Sequence, residues 1–128
     1  MRNQSNRPLS PHLQIYRWTP TMLSSISHRA SGIINTVGAV FLAIWLIGAA
    51  NGPDAFATVN GVAGSWFGQL VMFLWSFALF YHLCNGIRHL VWDVGVGLDP
   101  STARTTAFAA YGAAAGLTII VWIWAFLA

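Results

Sequence analysis

Lysine is absent from this chain of 128 residues, and charges of either sign are few. Charged residues make up 7% of the sequence, whereas soluble domains carry about 25%, so the composition argues against a soluble domain. Cys84 is the only cysteine, which excludes an intrachain disulfide. One thiolate cannot hold an iron–sulfur cluster, which needs several such ligands. Any cluster that works with this chain must belong to a partner.

Apolar side chains, in contrast, form 56% of the residues, and the mean hydropathy is +0.61. At this length there is room for about three membrane-spanning helices of ~20 residues each. The isoelectric point near 9.8 would also suit a nucleic-acid-binding protein. The six positive charges, all arginines, are scattered along the chain instead of forming one basic face. We therefore predict a lipid bilayer as the surroundings and exclude nucleic acid as a partner.

Long stretches without charged residues predict an all-α integral membrane protein with three transmembrane helices. Breaker clusters at 51–54 and 95–101 separate these stretches. The predicted helices cover residues 22–50, 64–92 and 103–128. We therefore divide the chain into an N-terminal arm, residues 1–21, and a transmembrane anchor domain, residues 22–128.

The arginines predict the orientation of these helices in the membrane. All six lie in the arm, at the start of the first helix, or around the loop between the second and third helices. None lies in the 51–63 loop or at the C-terminus. By the positive-inside rule, the N-terminus is predicted to be cytoplasmic and the C-terminus to lie outside.

The third helix contains many small residues, among them Gly112 and Gly116. Two glycines at this spacing allow a second helix to approach closely. Alanine and glycine are also simply common in such helices, so the pattern alone leaves both interpretations open. In either case, three helices have few ways to bury their polar groups alone, which predicts a place in a heteromeric helix bundle.

One ionisable ring, His82, lies well inside the stretch 55–87, which has no charged residue. A polar ring in hydrocarbon is costly unless a partner satisfies it. His82, Gly86 and His89 share one helix face, and Gly86 leaves room there for a flat macrocycle. Arg88 and His89 lie roughly 10 Å from His82 along the helix, a distance comparable to the reach of a haem from its iron to its propionates. Spacing alone leaves two interpretations of His82 open: a haem ligand, or a hydrogen bond to a neighbouring helix in a haem-free structural subunit.

A second polar group opens the first helix. Ser25, His28, Arg29 and Gly32 share a face and lie at the same interface as His89. A hydroxyl, an imidazole and a guanidinium there can hydrogen-bond a quinone carbonyl or pair with carboxylates.

Three segments together resemble the cytochrome b subunits of succinate dehydrogenase. They are RPLSPHLQIY (residues 7–16), SISHRASG (25–32) and YHLCNGIRHLVWD (81–93). Their order and the plan of three spans extend the resemblance over nearly the whole chain.

The resemblance implies a role for each matching residue. His82 corresponds to the axial ligand of a haem b iron, and the second ligand comes from another small anchor subunit. Ser25 and Arg29 correspond to the ubiquinone contacts, and His28, Arg29 and His89 match positions near the haem propionates. The same motif contains Ser27, but Ser25 is the predicted quinone contact because Arg29 lies one turn away on its face.

The resemblance also implies the surrounding complex. A flavoprotein with FAD oxidises succinate, an iron–sulfur subunit carries the electrons, and this chain is a non-catalytic anchor and electron-transfer subunit of complex II. An anchor of a fumarate reductase is the alternative in the same class. A mitochondrial precursor would carry a transit peptide before the first motif, and only six residues precede Arg7. The expected location is a bacterial inner membrane with a periplasmic C-terminus, and a mitochondrial inner membrane is the alternative.

Overall fold

The structure, a computed structural model, describes residues 15–128, and within them all regular structure is α-helical. The four helices are α1 (Pro20–Ala50), α2 (Pro53–Gly64), α3 (Trp66–Asp93) and α4 (Pro100–Leu127). Among the described residues, α1, α3 and α4 are long and apolar enough to cross a membrane. The prediction of an all-α membrane protein with three spans is confirmed.

Both α1 and α4 begin at a proline, which suits the first turn because its N–H would have no partner there. Asp99 caps α4 by accepting the backbone N–H groups of Ser101 at 3.1 Å and Thr102 at 3.3 Å. The Ser101 hydroxyl also donates to Asp99, and these bonds to the ionised form hold the pKa of the Asp99 carboxyl below its ordinary value. The cap explains why α4 starts three residues before the predicted position 103.

Residues 51–63 were predicted to form a loop between the first two spans, but most of this segment forms α2. Gly52 turns the chain with a φ of +101°, which glycine adopts without steric cost. Asp54 then places a negative charge in the first turn of α2, where its interaction with the positive end of the helix dipole stabilises the helix. Val59 of α2 packs against Gly48 of α1, where a Cβ would collide with the valine side chain.

The core between the long helices consists mainly of small side chains packed around one large ring, that of Tyr81. Tyr81 of α3 is 2% exposed and packs against Ala110 and Ala114 of α4. The rings of Tyr81 and Tyr111 stack with their centroids 4.5 Å apart. The buried positions of α1 are Ser24, Ser31, Gly38 and Gly48. Large apolar side chains cover the outside of the bundle instead, as lipid or a partner chain requires.

Gly38 allows the Trp75 side chain of α3 to pack closely against α1. A Cβ at this position would overlap the indole ring of Trp75. We expect Gly38→Ala to destabilise the bundle by about 1–3 kcal/mol, the usual cost of overpacking, and to lower the temperature at which the complex unfolds in detergent. Gly61→Ala in α2 is the matched control, because no atom lies within 4 Å of the added Cβ. Equal unfolding temperatures for the two variants would contradict this account.

Candidate functional site

The side chain of His82 lies between α3 and α1, in contact with the first turns of α1. Its Nδ1 atom is 3.1 Å from the Ser31 hydroxyl oxygen and 3.2 Å from the carbonyl oxygen of His28. A Cβ on Gly32 would come within 3.2 Å of the His82 ring, so a glycine here allows the imidazole to approach α1. The sequence placed Gly32 and His28 on one face of α1, and the structure places both of them against His82.

These contacts determine which nitrogen of His82 carries the proton. The carbonyl oxygen of His28 can only accept, so a hydrogen bond between these two atoms places the proton of His82 on Nδ1, and Nε2 of His82 lies 3.4 Å from Nε2 of His28. Histidines that bind a metal usually have this arrangement, in which one nitrogen donates to a carbonyl and the other ligates. Gly86 lies one turn further along α3, where a Cβ would meet no atom within 4 Å. An imidazole held at Nδ1, one turn from an open surface at Gly86, fits the requirements of a haem ligand.

Three imidazole rings lie close together between α1 and α3. The rings of His28 and His82 have centroids 4.1 Å apart, and those of His28 and His89 are 5.0 Å apart. His89 donates from Nδ1 to the carbonyl oxygen of Asn85 at 2.7 Å, which leaves its Nε2 free. The structure therefore brings together the three histidines that the sequence had assigned to two separate helices.

Arg88 differs from the expectation that it meets haem propionates together with His89. The residue is 7% exposed, and its guanidinium points into the bundle. Nε donates to the Thr106 hydroxyl at 3.0 Å, and Nη2 donates to the carbonyl oxygen of Ala103 at 2.8 Å. Nη1 donates to Oδ1 of Asn85 at 3.1 Å. All three nitrogens therefore have partners within the chain, and Arg88 joins α3 to α4.

Asn85 was missed by the sequence analysis, although it is fully buried at the centre of the polar contacts. Its Oδ1 accepts the Ser24 hydroxyl at 3.0 Å, and its Nδ2 is 2.9 Å from Nδ1 of His28. The Tyr81 hydroxyl donates to the backbone oxygen of Ser24 at 2.9 Å. A signal for this face existed in the i, i+4, i+7 spacing of Tyr81, Asn85 and Arg88.

The predicted quinone contacts lie on the first turns of α1. Arg29 is exposed and Ser25, one turn before it, is half-buried. Ser27 faces α4 instead, where it accepts a hydrogen bond from the Tyr111 hydroxyl at 2.8 Å. The two serines of the motif therefore differ in their surroundings, since Ser27 helps to pack α1 against α4.

Residues 3–121 match the succinate dehydrogenase/fumarate reductase transmembrane subunit family. The chain belongs to this family. The matched residues include the three clustered histidines and both predicted quinone contacts.

Relatives with a curated name agree with the family. The succinate dehydrogenase cytochrome b556 subunit of Paracoccus denitrificans is 38% identical over 94% of this chain and 93% of its own length. The subunit of the same name from Rickettsia bellii is 34% identical over 93% of each chain. The mitochondrial cytochrome b560 subunit of Sus scrofa is 43% identical over 73% of this chain and 57% of its own length. The resemblance found in the sequence is thereby confirmed.

Proposed function

We propose that this transmembrane subunit is the membrane-anchoring cytochrome b subunit of a succinate dehydrogenase, respiratory complex II. The observation that carries the proposal is His82, whose Nδ1 lies 3.2 Å from the carbonyl oxygen of His28 and which lies one turn before an open surface at Gly86. The chain is an anchor and electron-transfer subunit, and it is not an enzyme alone. A flavoprotein with FAD and an iron–sulfur subunit provide succinate oxidation and the electron path to the membrane.

His82 would hold the iron of haem b together with a residue of a second small anchor subunit. Ser31 and the carbonyl oxygen of His28 orient the His82 ring through Nδ1. His28, Arg29 and His89 would contact the propionates, a role supported by the cationic or hydrogen-bonding character of all three groups and by the clustering of the two histidine rings. When bound, the haem supplies a one-electron centre between the subunits.

Ser25 and Arg29 bind the head group of ubiquinone. The Ser25 hydroxyl donates a hydrogen bond to a quinone oxygen. Arg29 stabilises the negative charge that develops on a quinone oxygen during reduction, which is a preorganised electrostatic role. The exposure of Arg29 supports this assignment, because the guanidinium is accessible at the surface of α1.

Open helix faces support a second anchor subunit. A Cβ at Gly112 or Gly116 of α4 would meet no atom of the chain within 4 Å, and the same holds for Gly86 of α3. Close approach of a further helix is therefore sterically possible on both helices.

The orientation follows the arginines, with a cytoplasmic N-terminus and a periplasmic C-terminus in a bacterial inner membrane. Residues 1–21 form the cytoplasmic arm, of which the first fourteen lie outside the described residues, and residues 22–128 form the anchor domain. Mitochondrial relatives make the mitochondrial inner membrane the alternative location.

Purification of the tagged chain from native membranes in mild detergent tests the proposed function. We expect a flavoprotein, an iron–sulfur protein and a second small membrane protein to co-purify, with a b-type spectrum in the reduced sample. We also expect succinate to reduce a ubiquinone analogue faster than the quinol reduces fumarate. A preparation without a Soret band would favour a haem-free structural subunit, and the reverse order of rates would favour a fumarate reductase anchor.

A further inference from the structure

We propose that Tyr111 of α4 is a positioning residue for the quinone site, because its hydroxyl holds the part of α1 that carries Ser25 and Arg29. The inference rests on the proposed function, in which those two side chains bind the quinone. Tyr111 itself lies on the opposite side of α1 and acts on the quinone through the backbone of that helix.

Ser27 connects Tyr111 to the quinone contacts. Successive side chains of an α-helix are rotated by about 100°, so Ser27 points away from Ser25 and from Arg29, each of which is two residues distant. The Tyr111 hydroxyl donates to the Ser27 hydroxyl oxygen at 2.8 Å on this far side. A bond there cannot be part of the surface that a quinone meets, but it fixes how far the helix lies from α4.

The Tyr111 ring is itself held in place. It stacks on the Tyr81 ring, with centroids 4.5 Å apart and planes inclined by 21°. Tyr81 is 2% exposed, and its own hydroxyl donates to the backbone oxygen of Ser24 at 2.9 Å. Two tyrosines from two helices therefore hold α1 at Ser24 and Ser27, on either side of Ser25 in the sequence.

Packing between α1 and α4 is loose beside this hydrogen bond. A groove of about 200 Å³ opens there, and its lining includes Pro20, Leu23, Ala107 and Phe108. Side chains that leave such a groove do not determine the separation of the two helices by contact alone. Hydroxyl side chains hydrogen-bond across membrane helices, and here the Tyr111–Ser27 bond spans the gap that the apolar side chains leave.

Loss of this bond is expected to displace Ser25 and Arg29 relative to the rest of the quinone site. Misplacing a group by about 1 Å can cost about 100-fold in rate, so a shift of a few tenths of an ångström would cost about threefold. Succinate oxidation takes place in another subunit and does not depend on the distance between α1 and α4.

Tyr111→Phe in the purified complex tests the inference, because phenylalanine keeps the stacked ring and removes only the hydroxyl. The measurement is the rate of succinate-driven reduction of a ubiquinone analogue over a range of analogue concentrations. We expect kcat/KM for the analogue to fall about threefold, with a higher KM, while succinate oxidation with an artificial soluble acceptor stays at the wild-type rate. A variant that merely lost structure would contain a fraction of inactive complexes, which lowers the rate of both reactions and leaves the KM unchanged.

Ser27→Ala removes the same hydrogen bond from the other side. We expect it to have the effect of Tyr111→Phe, and we expect the double variant to show no further loss, because both substitutions delete one interaction. If Tyr111→Phe fails to assemble, Ser27→Ala provides the same test with a smaller change of side chain.

Ser76→Ala is the matched control, because it removes another hydrogen bond between two long helices. The Ser76 hydroxyl accepts from Nε1 of Trp122 at 3.3 Å, and Trp122 lies roughly 16 Å from Tyr111 along α4. We expect the KM and both rates to stay at their wild-type values. An equal rise of the KM in Ser76→Ala would overturn the inference, since any loosening of the bundle would then have the same effect.

An unchanged KM in Tyr111→Phe, or additive effects of Tyr111→Phe and Ser27→Ala, would also overturn the inference. A wild-type complex that does not reduce the ubiquinone analogue, or Arg29→Leu with the wild-type rate, would instead overturn the proposed function. The two failures are distinguishable, because the first is observed in a complex whose quinone reduction depends on Arg29.

Discussion

Replacing His82 with Leu is expected to remove the b-type haem spectrum from the purified complex. Leucine fills a similar volume but offers no lone pair, and no other imidazole in the cluster has the same pair of contacts at Nδ1. The substitution would remove the bond between this chain and the haem iron. The check is a reduced-minus-oxidised spectrum normalised to the flavin content of the same sample.

Cys84→Ala is the control for the His82 substitution. Cys84 lies two residues further along α3, is half-buried, and packs against the core formed with α4. We expect this variant to keep the wild-type spectrum, because its side chain takes no part in the site. An unchanged spectrum in His82→Leu would contradict the assignment of His82 as the ligand.

The second large effect is expected at Arg29. Arg29→Leu should lower the rate of quinone reduction by about 100-fold or more, the usual cost of losing one preorganised group that stabilises developing charge. Succinate oxidation measured with an artificial soluble acceptor should stay near the wild-type rate, since that reaction does not need the membrane site. The two assays on one preparation separate quinone chemistry from assembly.

Two further variants sharpen the Arg29 experiment. Arg29→Lys keeps the charge and loses the planar fork of donors, so an intermediate rate is expected. Arg104→Leu, an exposed arginine in the first turns of α4, should leave both activities unchanged. Equal loss of both activities in Arg29→Leu would indicate a complex that fails to assemble and would count against a specific role in quinone binding.

The long helices could be predicted from the sequence because their signal is strong and local. Charge is absent for more than twenty residues at a time, and clusters such as Asn51–Asp54 mark the ends. The segment after this cluster was harder to predict, because Asn60 and Gly61 favour a turn by composition. In the structure, Pro53 and Asp54 start a helix there, and its packing against Gly48 outweighs these weak local preferences.

The candidate site could be predicted in part. Ionisable side chains draw attention in an apolar helix, so His82, His89 and Arg29 were found from charge and spacing. Asn85 and Ser24 carry no charge, and such residues often do no more than bond to their own backbone. Their importance arises only when α1 and α3 pack together. No pattern within one helix shows that Arg88 turns towards α4, because that choice depends on where Thr106 lies.

Arg88 also bears on how the chain enters the membrane. Two of its three nitrogens are satisfied only by α4, through Thr106 and the carbonyl oxygen of Ala103. If α3 entered the membrane without α4, these two donors would have to reach the water at the end of the helix instead. The six residues between the two helices are few enough for α4 to follow at once. We therefore expect α3 and α4 to insert as one helical hairpin, which the Arg88 guanidinium holds together.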